Sequence, residues 1–256
     1  MPSVLPHNHQ IASDISKYLD EVEAEIEDHR LKLENSGEFR HVFKATMAAD
    51  SFLAKLSSNE VPKLSAIRKF IRRIPVLVIA GQGDISRHQL RQVIELVFWV
   101  IYFCDHKIEW NSFELDPTKG LATDPNKPIE YCSFRERSFY GNYAKELFEL
   151  HEPSGIAKTA ASELNVCYTE LNVFSHGAYA IRRPGIHPTV EQFDEPSLAK
   201  FGRIHKRVLS SSCIVLAAFR RKRFDSLPPV HRAWFDWLVG SSTSKSIRSG
   251  EFGISR

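Results

Sequence analysis

Residues 85–105 read ISRHQLRQVIELVFWVIYFCD, and this stretch decides the fold class. Its apolar residues, from Val93 through Phe98 and Trp99 to Phe103, fall on every side of a helical wheel. A helix that is apolar all round has no face to offer water and belongs in an interior. The run from Val93 to Cys104 is interrupted by Glu95 and falls short of the roughly 20 residues that a bilayer span requires, so it reads as the central helix of a bundle, with no membrane association expected. Asp84 or Ser86 is placed to cap its start.

Helical periodicity extends outward from this element in both directions. Upstream, Ile15, Leu19, Val22 and Ile26 recur at spacings of four, three and four within residues 12–36, among the acidic residues Asp20, Glu21, Glu23, Glu25, Glu27 and Asp28. The result is an amphipathic helix with a strongly negative face, ended by Asn35-Ser36-Gly37. A second helix, from about Glu38 to Leu56, completes a hairpin. Residues 63–73 set Lys63, Arg68, Lys69, Arg72 and Arg73 among apolar residues, and the run Pro75–Ala80 follows. That run reads either as a short strand, because Val and Ile favour strands, or as more helix capped by Gly81.

Downstream, residues 111–130 hold Pro117, Pro125 and Pro128 and form a long surface loop. Helices are expected at about 134–150, 156–177, 197–223 and 229–239, with a second loop over 182–196. The expected organisation is all-α: an N-terminal helical hairpin over 1–58, a helical bundle over 59–239, and a flexible tail over 240–256, rich in Ser and Gly, that frays.

Composition excludes several classes. A chain that is 43% hydrophobic and 25% charged is globular rather than disordered. A formal charge of +3 does not by itself argue for nucleic acid. Cys104, Cys132, Cys167 and Cys213 form no CxxC pair, so neither a structural zinc site nor a redox motif is expected. Reduced, helix-borne thiols suit a cytoplasmic location, and the start MPSVLPHNHQ lacks the features of a signal peptide. No metal and no cofactor is expected. His7 and His9 have no clustered partners, and Gly81-Gln82-Gly83 lacks the third glycine of a dinucleotide-binding turn, with Ser86 in its place.

Two sets of polar residues stand on helices that otherwise read as core. Arg91 and Glu95 are one turn apart on the central helix, with His88 on the same stripe. Neither charge tolerates burial alone, so they form a structural ion pair or line a polar pocket that would hold an anion. Asn172 and His176 are likewise one turn apart, in YTELNVFSHG over 168–177. His176 stands just before Gly177, where the helix dipole favours imidazolium; it either helps cap the helix or faces the pocket of Arg91 and Glu95 as a general acid/base.

The pattern Leu90-Arg91-x-x-x-Glu95, followed by Tyr168-x-x-Leu171-x-x-Phe174-x-His176-Gly177, resembles HEPN-like helical families over about residues 60–220. The resemblance implies a helical bundle that often dimerises. It also implies a place in bacterial toxin–antitoxin, CRISPR or abortive-infection systems, in many cases as a metal-independent ribonuclease. The family signature pairs an arginine with a following polar residue and a nearby histidine. Here Asn172 and His176 match, and Leu171 stands in the arginine's place.

A basic stretch adds a candidate nucleic-acid surface: Lys200, Arg203, Lys206, Arg207, Arg220, Arg221, Lys222 and Arg223 lie in a segment, 200–223, without an acidic residue. The alternative is a solvated face that docks on the acidic helix or on a partner. A second Arg–His spacing, Arg182 to His187, contains Pro184 and Gly185 and cannot be regular helix. Two functions stay open. One is a non-catalytic module that binds RNA or a partner protein. The other is a ribonuclease with His176 as general acid/base, Asn172 and Glu95 beside it, and Arg91 stabilising the phosphate. A homodimer is compatible with either.

Overall fold

The computed structural model describes residues 8–56, 63–106, 129–151, 155–175 and 193–249. Among the described residues there is no strand, and the chain is all-α. The helices are α1 (Asn8–Glu34), α2 (Gly37–Leu56), α3 (Lys63–Ile79), α4 (Gly83–Asp105), α5 (Ile129–His151), α6 (Ile156–Ser175), α7 (Glu195–Phe219), α8 (Arg221–Asp225), α9 (Pro229–Val239) and α10 (Ser241–Arg248).

As its apolar girth requires, α4 is surrounded: α3, α5, α6 and α7 all pack on it, and Leu90, Val93, Ile94, Val97, Phe98 and Ile101 are fully buried. A second axis is α7, which touches α2, α4, α6, α8 and α9. Phe52, Phe224 and Phe235 meet where α2, α8 and α9 converge, with Phe52 and Phe235 ring centroids 4.7 Å apart. The central start of α4 is not capped by Asp84 or Ser86. Gln82 takes that position without a side-chain bond, Ser86 Oγ donates to the Gln82 carbonyl, and Asp84 pairs with Arg87.

The run read as either strand or helix is helix through Ile79, with Pro75 inside α3. Ile71, Ile74 and Val78 form one fully buried face, and packing on α4 overrides the strand preference of the β-branched residues. The helix stops where Gly81 takes φ of 64°, its N–H bonded to the Val78 carbonyl and that of Gln82 to the Leu77 carbonyl. This is a Schellman stop, which glycine adopts without steric cost. The helix expected over 197–223 breaks at Arg220 into α7 and α8.

The stretch 241–248 is helix rather than frayed tail: Ser244 and Ile247 are buried, Ser244 Oγ donates to the Asp236 carboxylate, and Arg248 Nη2 reaches Asp236 Oδ2 at 3.3 Å. α2 is packed on α3, α7 and α9, so the second arm of the hairpin is part of the bundle. α1 is peripheral, resting on α2 and α3. There His29 Nε2 donates to the Val78 carbonyl at 3.1 Å and Leu33 is buried. No described helix is long and apolar enough to cross a membrane.

Candidate functional site

The polar stripe of α4 meets α6. Glu95 Oε1 accepts from Arg91 Nε at 3.2 Å and from the Tyr168 hydroxyl at 2.8 Å, and the Arg91 guanidinium lies over the Tyr168 ring, 5.0 Å from its centroid. The ion pair is internal to α4, and Tyr168 locks it across the helix interface. Arg91 and Glu95 keep 13% and 29% of their side-chain exposure, so the seam reaches the surface instead of being sealed. One turn beyond Tyr168 on α6 stands half-buried Asn172, whose Oδ1 is buried and has no hydrogen-bond partner among the described residues. An unmet acceptor of this kind has a desolvation cost that a donor from a ligand would relieve.

Two residues that the resemblance makes central fare differently. Leu171 is 1% exposed and belongs to the core, so the position where the signature has an arginine is an interior aliphatic one. His176 lies outside the described residues, as do Arg182 and His187. Arg91, Glu95 and Tyr168 are therefore brought together, Asn172 joins their face of α6, and the geometry of the histidine is not part of that set.

The basic stretch is not one surface. Arg207 sits between two carboxylates of α6, its Nε 2.5 Å from Glu163 and its Nη1 3.0 Å from Glu170. Burial works against its charge, but those hydrogen bonds outweigh it and raise its pKa. The bridge passes Cys167, whose thiol is pushed up to about 12 chiefly by burial, against the lowering effect of the Arg207 charge and with a smaller push from Glu163 and Glu170, so that thiol is not a nucleophile at neutral pH. Arg221 is held by Asp225 at 3.0 Å and by the Arg248 carbonyl at 2.9 Å. Arg220, at the break, is half-buried. Arg203, Lys222 and Arg223 are exposed, but helical rise puts Arg203 about 25 Å from the far end of α7.

Lys206 of the basic stretch belongs instead to a group whose other members, Lys44 and Trp237, spacing alone did not reveal. Lys44 of α2 and Lys206 of α7 both direct their ammonium groups at the indole of Trp237 on α9, at 4.5 and 5.3 Å from the ring centroid. The two charges are therefore no more than about 10 Å apart, and among the described residues neither has a carboxylate partner. Exposed Arg203 lies one turn before Lys206 on the same helix. The three residues come from positions 44, 206 and 237; the nearest legible signal was the pair of tryptophans in VHRAWFDWLV.

Two interior polar groups also escaped the sequence reading. Asp50, 5% exposed, accepts from Arg68 Nε at 2.8 Å and from Arg72 Nη2 at 2.7 Å across the α2–α3 interface. Burial alone would raise its pKa, but the bonds from Arg72 and Arg68 outweigh that and hold it below the usual carboxylate value. His205 is fully buried, its Nε2 3.2 Å from Thr46 Oγ1, and burial depresses its pKa to about 3. Among the described residues no group of three His, Cys, Asp or Glu side chains is placed to hold a metal.

Comparison with protein-family models, with curated proteins and with solved structures finds no match for this chain.

Proposed function

We propose that this chain is a non-catalytic, nucleic-acid-binding helical module, HEPN-like in its resemblance and of the kind that serves bacterial defence or toxin-type systems. The observation that carries the reading is the convergence of Lys44 and Lys206, with no carboxylate partner among the described residues, on Trp237, with Arg203 nearby. Cations beside an aromatic ring are what a single strand needs: phosphates are drawn by the ammonium groups, and a base finds a π-face. Leu171 supports the non-catalytic part, because a core aliphatic group offers nothing to a scissile phosphate.

The test is fluorescence anisotropy with a labelled single-stranded RNA over a range of salt. Binding should weaken steeply with salt, and Lys44→Glu with Lys206→Glu should reduce affinity by about tenfold or more and flatten the salt slope by roughly two phosphates. Equal binding by wild type and the double variant rejects this surface. A ribonuclease remains the second reading, favoured by the unmet Oδ1 of Asn172 beside the Arg91–Glu95–Tyr168 cluster. RNA cleavage by wild type, lost in both His176→Ala and Arg91→Ala, would establish it in place of the first.

A further inference from the structure

One heptad seam runs along α1 from Ile15 to Leu33. Ile15, Leu19, Val22, Ile26, His29 and Leu33 follow one another at spacings of 4, 3, 4, 3 and 4, the a/d pattern of a helix that packs along a partner helix. Only the C-terminal part of that seam is used within the chain. His29 and Leu33 are 1% and 3% exposed, whereas Ile15 and Leu19 are 54% and 53% exposed and Val22 and Ile26 are half-buried. Tyr18, at a flanking g position, is 53% exposed as well. Three exposed apolar or aromatic side chains, Ile15, Tyr18 and Leu19, continued by half-buried Val22 and Ile26, are more than the scattered surface residues a monomer carries.

The flanking charges define the occupant. In the free part the e and g positions hold Glu23 and Glu25, and among the described residues neither has an ion-pair partner. The basic groups of α1 are already engaged elsewhere: Lys17 with Glu21, Arg30 with Glu27 and Glu34, Lys32 with Asp28. A second copy of α1 would bring the same unpaired acids to the seam and be repelled. The chain's own basic helix, α3, cannot serve either, because Leu64, Ile67, Ile71, Ile74 and Val78 of its apolar face are fully buried in the core.

We infer that residues 15–26 of α1 form a docking strip for an amphipathic helix of another protein, one that carries apolar residues at a and d and Lys or Arg at e and g. Ile15, Leu19, Val22 and Ile26 supply the contact, and Glu23 and Glu25 select the sign of the partner. This strip is separate from the Trp237 surface and does not depend on the nucleic-acid reading.

The test uses the full chain and two synthetic three-heptad peptides, identical at a and d with Leu and Ile, one with Lys and the other with Glu at every e and g. Isothermal titration should give one-to-one binding of the Lys peptide and none of the Glu peptide. Ile15→Ser with Leu19→Ser should weaken binding at least tenfold with the thermal melt unchanged, since both side chains are exposed. Glu23→Lys with Glu25→Lys should reverse the preference between the peptides. Full binding by the serine variant would reduce the effect to bulk charge attraction and overturn the proposal. So would no binding of the Lys peptide, an unreversed preference in the charge swap, or sedimentation showing a dimer of the chain that the serine variant abolishes.

Discussion

Among the helix interfaces of this bundle that hold an arginine–carboxylate pair, two are built in opposite ways. Between α2 and α3, Asp50 is buried and both of its guanidinium partners arrive from the other helix. Between α4 and α6, Arg91 and Glu95 sit on one helix, partly exposed, and only the Tyr168 hydroxyl crosses. The first arrangement ties two helices by charge: removing Asp50 takes the shared acceptor from Arg68, which is partly buried, and from Arg72, which also reaches water. The second ties them by one neutral donor and leaves its charges near water. Structural weight thus falls on Asp50, and the seam of Arg91, Glu95 and Tyr168 contributes less to holding its helices together.

Substitutions can break this contrast, starting with the interior. Asp50→Ala is expected to destabilise the fold by about 3 kcal/mol in urea unfolding, the low end of the range for one partner lost from a buried pair, because Arg72 stays exposed to water. Leu171→Arg, which would write the family's arginine into this chain, should cost several kcal/mol and restore no cleavage, because the side chain enters the core. A stable, RNA-cleaving Leu171→Arg protein would reverse the account of that position.

Acid should act next. His205 is neutral in the fold, with its pKa depressed to about 3 by burial, whereas the unfolded chain binds its proton near pH 6.5. The unfolded state therefore holds more protons below pH 6.5, and stability falls by roughly 1.4 kcal/mol per pH unit from there toward pH 3. His29, depressed by burial, and Asp50, whose depressed pKa is lost as acid protonates it, act in the same direction. His205→Phe should flatten the dependence of the melting temperature on pH between 6.5 and 4; an unchanged slope would exclude His205 as its source. The smallest effect belongs to the open seam. Tyr168→Phe removes one hydrogen bond to a charged, partly exposed carboxylate and should cost about 1–2 kcal/mol, well under the loss at Asp50. A loss equal to that at Asp50 would erase the distinction between the two interfaces.

Much of the architecture was readable from pattern. The girth of 93–103 made α4 central, and the 3.5-residue spacing in α1 and the pairing of Arg91 with Glu95 needed only helical geometry, because residues one turn apart meet wherever the helix sits. Segments whose state depends on neighbours were less legible. Pro75–Ile79 suits either strand or helix until α4 packs on it, and Ser241–Arg248 looks like a tail until Asp236 takes its serine and arginine.

Local spacing and polarity thus sufficed for the helices, the apolar centre of the bundle and the acidic, heptad-patterned α1. Tertiary packing alone decided that Leu171 is interior, that Arg207 is bound by Glu163 and Glu170, and that Lys44 and Lys206 share Trp237. The physical reason is range: a helix is closed by hydrogen bonds four residues apart, whereas whether a charge is free or paired depends on which distant helix folds against it.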